Sequence, residues 1–191
     1  MTVVAEPRVV VLVEGPSDQV ALRTLARRHD RDLEAEGISI VSIGGAMNIQ
    51  TFLELFGAPR PDVELAGLCD AGEAPDFARA LERAGLGTNL SRDEMERLGF
   101  FVCDRDLEDE LIRALGAPAV EEALAKNGEL ESFRILQRQP AWRGQPIEEQ
   151  LHRFLRSQSR RRISAIQWLV EALALHRVPR PLQQLLAYLS H

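Results

Sequence analysis

Several residue types and patterns are scarce in this sequence of 191 residues, which has one lysine, one tyrosine, two cysteines and no long apolar run. Without about 20 consecutive apolar residues there is no candidate transmembrane helix, and the N-terminus lacks the basic and apolar regions of a signal peptide. Cys69 and Cys103 lie apart in apolar segments, without the CxxC or Cys/His spacing of a zinc site. We expect a cytoplasmic protein with no membrane partner, in which both cysteines are core residues.

The charge of the chain also limits its function. A formal net charge of −6 argues against a protein that coats nucleic acid through a general positive field. Basic residues nevertheless concentrate in RFLRSQSRRR, from Arg153 to Arg162. A solvated helix face is the default interpretation of this run, and phosphate contact through Arg160, Arg161 and Arg162 is the alternative. No GxxxxGK[ST] loop is present, so we expect this chain to carry no ATPase of its own.

Apolar strands alternate with helical patterns over the first two thirds of the chain. Val9 to Val13 is a continuous β-branched run, typical of a strand buried on both faces. Further strands are predicted in Gly37 to Gly45, in Val63 to Cys69, and in LGFFVCD, which ends at Asp104. This alternation predicts an α/β fold, with a Rossmann-like, doubly wound, mainly parallel four-stranded sheet flanked by helices.

The domain organisation follows from the end of this alternation. From Pro118 onward the sequence predicts helices and no convincing strand. We expect an α/β core over residues 1–117 and a helical C-terminal extension over residues 118–191, packed on the same domain.

Carboxylates follow three of the predicted strands. Glu14 comes directly after the first strand, Asp70 after the third, and Asp104, Asp106 and Glu108 after the fourth. Parallel strands bring their carboxyl ends to one edge of a sheet, which is where ligands of such sheets bind. Carboxylates gathered there would repel one another, so a cation is expected. Oxygen ligands without histidine favour Mg²⁺ or Mn²⁺ over zinc.

Each of these acids also has a simpler interpretation. Asp18 could be a favourable first-turn charge of the helix that follows Glu14, and Asp70 could cap a turn. Asp106 is better suited to be the N-cap of the next helix than a metal ligand, and Glu108 would then lie in its first turn. The four histidines have no metal-binding spacing and are expected at the surface or partly buried.

An ordered series of motifs resembles a known family. VLVEGPSDQVALRTLA, SIGGAMNIQTFL, LCDAGE, CDRDLEDELI and the late basic segment together resemble the TOPRIM domain of OLD (overcoming lysogenization defect) nucleases, over roughly the whole chain. The resemblance implies two-metal-dependent cleavage of DNA, usually beside an ABC-type ATPase domain. It implies that Glu14 is a metal ligand or general acid/base, that Asp18 supports the second metal, and that Asp70 and Glu108 are metal ligands.

The sequence departs from this family in two positions of the site. Gly72 stands where the family has the second aspartate of an Asp-x-Asp motif. The site has therefore lost a metal ligand, unless Glu73 or Asp104 takes its place. The late catalytic lysine of the family matches a position within Arg160 to Arg162, best Arg161. An arginine can stabilise negative charge on a phosphate but does not act as a neutral proton shuttle.

These observations lead to one principal hypothesis. The chain is a stand-alone OLD-like TOPRIM protein, a Mg²⁺- or Mn²⁺-dependent nuclease with Glu14 and Arg161 as catalytic residues. Its partners are nucleic acid, DNA rather than RNA, and a separate ABC-type ATPase. The apolar segment AIQWLVEALAL could form a homodimer or partner surface, and burial within the monomer explains it equally well. The alternative is a catalytically weakened nucleic-acid-binding or partner-binding module. In a third interpretation, the acids serve only as helix and turn caps.

Overall fold

The fold is built on a four-stranded sheet in which every pairing is parallel. The structure is a computed structural model that describes residues 7–57, 62–157 and 159–190, without the side chains of residues 159–161. The strands are β1 (Val9–Val13), β2 (Ile38–Ser42), β3 (Glu64–Cys69) and β4 (Phe100–Val102), in the order β2-β1-β3-β4. The predicted α/β fold is confirmed, and β1 lies in the middle of the sheet because its five apolar residues are all buried.

Helices connect and cover these strands. They are α1 (Pro16–Arg28), α2 (Ile49–Phe56), α3 (Ala74–Arg83), α4 (Arg92–Arg97), α5 (Leu107–Leu115), α6 (Ala117–Lys126), α7 (Leu130–Arg138), α8 (Ile147–Leu155), α9 (Ser159–Ala172) and α10 (Arg180–Tyr188). Short 3₁₀ helices cover Ala46–Asn48 and Leu175–Arg177. No helix in the described ranges is both long enough and apolar enough to cross a membrane.

Each face of the sheet has its own apolar core. Alternate residues of β1 point to opposite sides, so Val9 and Val11 pack in one core and Val10 and Leu12 in the other. The first core is covered by α1 and the later helices, and the second by α2, α3 and α4. Cys69 and Cys103 are buried, as expected of core residues.

The C-terminal helices pack directly on the α/β core. Helix α9 lies against α1, α5 and α6, and α10 lies against β3 and β4. The described residues after Pro118 form helices and no strand. This is the arrangement expected of a helical extension, while the boundary between residues 117 and 118 stays a prediction, because α6 already begins at Ala117.

The carboxyl ends of β1, β3 and β4 lie next to one another at one edge of the sheet. The register pairs Val13 with Leu68 and Cys69 with Val102, so the residues that follow these strands emerge together. The turn after β2 is fastened to the same edge, because the Gly45 amide donates a hydrogen bond of 3.1 Å to the Glu14 carbonyl. Gly45 has a φ of 110°, which glycine adopts readily.

Candidate metal centre

Glu14 is fixed at the end of β1 by a hydrogen bond to the neighbouring strand. Its Oε1 accepts a bond of 2.7 Å from the amide of Asp70, the first residue after β3. Burial is the main cause that raises the pKa of Glu14 to about 7. The charges of Asp18 and Glu73 act in the same direction, and the Asp70 amide and Arg162 act against them. The carboxyl group therefore sits where its ionised form lacks sufficient compensation.

Asp18 lies in the first turn of α1 and is 6% exposed. Its Oδ2 accepts a hydrogen bond of 2.9 Å from the Gly15 amide, so it does serve the helix end, as the simpler interpretation expected. Burial raises the pKa of Asp18 to about 7, and the charges of Asp70 and Glu108 add to this effect. Asp18 therefore both caps the helix and interacts electrostatically with the other acids at this edge.

Asp70 follows β3 and completes a group of three acids with raised pKa values. Burial raises the pKa of Asp70 to about 7, and the charges of Glu14, Asp106 and Glu108 act in the same direction. Two residues further on, Gly72 is exposed and contributes no carboxylate. The structure therefore brings Glu14, Asp18 and Asp70 to one edge, within electrostatic influence of each other.

Glu108 is held by a residue of the C-terminal extension. It lies in the first turn of α5, its side chain is 0% exposed, and the guanidinium of Arg162 in α9 bonds to both of its oxygens. The contact between Arg162 Nη2 and Glu108 Oε2 measures 3.1 Å. The charge of Arg162 also lowers the pKa values of Glu14, Asp18 and Asp70, so one guanidinium acts electrostatically on these three acids as well as bonding to Glu108.

Asp106 has a different set of partners. As expected, it is the N-cap of α5, accepting a hydrogen bond of 2.9 Å from the Asp109 amide. Its other oxygen lies 2.7 Å from His152 Nε2 and also binds Arg156. Burial alone would raise the pKa of Asp106, but His152, the Asp109 amide and Arg156 outweigh burial and lower it to about 2.

Two expectations from the sequence were wrong at this point. His152, on α8, is 8% exposed and was expected at the surface or partly buried; it is buried because α8 packs on α5 and places it against Asp106. Arg156 and Arg162 belong to the run interpreted by default as a solvated helix face. Arg162 is instead largely buried against Glu108, whereas the side chain of Arg156 stays 42% exposed while it binds the buried Asp106.

Asp104 does not compensate for Gly72. Its side chain is 57% exposed and binds Arg92 at 2.8 Å and Arg113 at 3.3 Å. Glu73 is half-buried and raises the pKa of Glu14, so it lies closer to the group of acids.

Part of the predicted phosphate-binding segment lies outside the described residues. This holds for the side chains of Arg160 and Arg161, and therefore for the catalytic role assigned to Arg161. Arg162 is described and lies against Glu108; its contact with nucleic acid stays a prediction.

The chemistry of the donors fits a hard divalent cation. The acids at this edge offer only carboxylate oxygens, which suit Mg²⁺ and Mn²⁺. Within the part of the chain that the structure describes, no three Asp, Glu, His or Cys side chains are close enough to hold one ion together. Mg²⁺ commonly binds through one or two carboxylates and completes its shell with water and substrate phosphates, so this arrangement remains suitable for it.

Comparisons with known proteins agree with the fold described above. Residues 8–71 match the family model described as overcoming lysogenization defect protein-like, TOPRIM domain. Over these residues the chain resembles the TOPRIM domain of OLD proteins. The matched segment of this OLD-like TOPRIM domain contains Glu14, Asp18 and Asp70, whereas Glu108 lies beyond it. A comparison with curated proteins gave no match.

Solved structures share the fold over nearly the whole chain. The C-terminal region of the Xanthomonas campestris pv. campestris OLD protein, phased with mercury, is 23% identical, with a TM-score of 0.71 over 96% of this chain and 94% of that one. The C-terminal region of the Burkholderia pseudomallei OLD protein is 21% identical, with a TM-score of 0.70 over 96% of this chain and 97% of that one. The OLD-like fold therefore includes the C-terminal helices.

Proposed function

We propose that this protein is a nuclease module that hydrolyses phosphodiester bonds of nucleic acid with Mg²⁺ or Mn²⁺. One observation carries the proposal: Glu14, Asp18 and Asp70 meet at one sheet edge, and each has its pKa raised to about 7. Acids that are held ionised only at a cost are typical of sites that bind a cation. The resemblance to OLD TOPRIM domains supports the same assignment.

Glu14 and Asp70 would hold the ion. The Asp70 amide fixes one oxygen of Glu14, which orients its carboxylate before any ion binds. A bound ion would orient the phosphodiester, lower the pKa of the attacking water and stabilise the leaving oxygen. Asp18 and Glu108 would serve a second positive charge beside this ion, and Arg161 would stabilise negative charge on the phosphate.

The partners form the second part of the proposal. The nucleic-acid backbone would be contacted by Arg160, Arg161 and Arg162, because arginine forks bind phosphate oxygens in pairs. DNA is the proposed substrate. We further propose that a separate ABC-type ATPase acts with this chain. A homodimer through α9 stays a prediction, because most of the apolar residues of this helix are buried within the chain.

A cleavage assay with four labelled substrates tests the activity. Plasmid, linear duplex, single-stranded DNA and RNA are incubated with Mg²⁺, Mn²⁺ or EDTA and with the wild type, Glu14→Gln or Glu148→Gln. Glutamine keeps an oxygen that can accept the Asp70 amide, and Glu148 is an exposed residue on α8, so its variant is the matched control. Metal-dependent products that persist only in the wild type and the control support the proposal; equal cleavage by Glu14→Gln contradicts it.

A second candidate function is a binding module without turnover. Two observations favour it: Gly72 offers no ligand, and Arg162 engages both oxygens of Glu108. Measured binding of Mn²⁺ and of nucleic acid, together with no product in the cleavage assay, would select this function.

A further inference from the structure

In the contact between Arg162 and Glu108, the guanidinium of Arg162 is a positive charge fixed beside a buried carboxylate. Glu108 is completely removed from water, and a buried carboxylate needs a counter-charge. The counter-charge comes from α9, more than 50 residues away in the sequence. A guanidinium fork that bonds to both oxygens occupies a lone pair on each and already supplies the counter-charge that a metal ion would otherwise supply.

The same guanidinium is shared with the other acids. Its charge acts on Glu14, Asp18 and Asp70 as well as on Glu108, in the way that a metal ion between them would act. With four carboxylates and one guanidinium, the edge keeps enough negative charge for one divalent ion. A second divalent ion would give it a net positive charge.

We propose that the guanidinium of Arg162 takes the place of one cation, so that the edge binds a single divalent ion through Glu14 and Asp70. This inference rests on the proposed function and adds a stoichiometry to it. The ion and Arg162 would then divide the acids, with Glu108 and Asp18 facing the arginine. Removal of the guanidinium would free Glu108 for a second ion.

Calorimetric titration with Mn²⁺ alone at pH 8 tests the stoichiometry, independently of any cleavage. The wild type should bind one ion per chain and Arg162→Met two, because methionine fills similar space without charge. The matched control is Arg153→Met, which removes an exposed arginine of α8 and should bind one ion. One ion in both the wild type and Arg162→Met, at whatever affinity, overturns the inference.

Two further variants show which group is responsible. Arg162→Lys keeps the positive charge and should bind one ion, whereas Glu108→Gln combined with Arg162→Met removes the freed ligand and should also return to one. Two ions bound by either variant overturn the inference. If Arg162→Met does not fold in EDTA, folding restored by Mn²⁺ supports the inference, and failure to fold in saturating Mn²⁺ overturns it.

The outcomes for the wild type separate this inference from the proposed function. Two ions bound by the wild type overturn the inference and leave the nuclease proposal intact. No ion bound by the wild type overturns both.

Discussion

Arg162 in α9 bonds to both carboxylate oxygens of Glu108 in α5 and thereby joins the C-terminal helices to the acidic edge of the sheet. The Glu108 side chain is 0% exposed and that of Arg162 is 29% exposed, so this pair is largely removed from water. Loss of one partner from such a pair leaves a buried charge, which costs more than the pair itself contributes.

The first prediction concerns the stability of this pair. In EDTA, Arg162→Met should lower the free energy of unfolding by about 3 kcal/mol, because Glu108 loses its counter-charge. Glu108→Gln combined with Arg162→Met should recover much of that loss. Urea unfolding of the wild type, both single variants and the double variant gives the coupling energy. Additive effects of the two substitutions would contradict the prediction.

The second prediction concerns acid stability and Asp106. A carboxyl with its pKa lowered to about 2 stabilises the fold above the unfolded value of about 3.9 and loses this contribution as the pH falls through 2. Asp106→Asn should therefore lower the free energy of unfolding by about 2 kcal/mol at pH 7. Asparagine still caps α5, so the difference reports the loss of charge.

A pH series of urea unfolding curves checks this prediction. The difference between the wild type and Asp106→Asn should shrink as the pH falls below 4. If this difference in the free energy of unfolding does not change between pH 7 and pH 3, the effect of Asp106→Asn comes from packing and not from charge. Asp109→Asn, in the first turn of the same helix, is the control.

The third prediction has the opposite sign and concerns Asp70. Its pKa is raised to about 7, so between about pH 4 and pH 7 the unfolded chain ionises while the folded one keeps its proton. Stability then falls as the pH rises through this range. In EDTA at pH 8, Asp70→Asn should raise the free energy of unfolding by up to about 4 kcal/mol, since each unit of the pKa difference between the folded and the unfolded chain is worth about 1.4 kcal/mol, and the gain should disappear near pH 4. Destabilisation at pH 8 would contradict this account.

The fourth prediction concerns stabilisation by metal. Mn²⁺ should raise the midpoint of thermal unfolding of the wild type, and more at pH 8 than at pH 5, because the ligands must lose their protons before an ion binds. EDTA should reverse the shift. A shift that is equal at both pH values would indicate binding away from Glu14, Asp18 and Asp70.

The sheet could be predicted from the sequence because its strands are short apolar runs that end at charged or glycine residues. The run Val9 to Val13 matches β1 residue for residue, and the predicted strand Val63 to Cys69 matches β3 except for its first residue. Helix α4 was missed, although Ser91 and Glu94 form a capping box that the sequence displays as S-x-x-E. Its six residues are too few for a clear apolar period.

The site could be predicted only in part. Glu14 and Asp70 could be brought to one edge by the rule for parallel strands, since each directly follows its strand. The partners of Glu108 and Asp106 come from α8 and α9 through tertiary packing, which leaves no local spacing to recognise. Composition likewise could not separate Arg162 from its two preceding arginines.

The most direct test of the account is Mn²⁺ binding by a double variant, Glu14→Gln with Asp70→Asn. Both substitutions keep side-chain size and remove only charge, and Glu148→Gln is again the control. The account predicts that calorimetry at pH 8 detects one ion in the wild type and the control and none in the double variant. Equal binding by the wild type and the double variant would contradict the assignment of the metal to this edge.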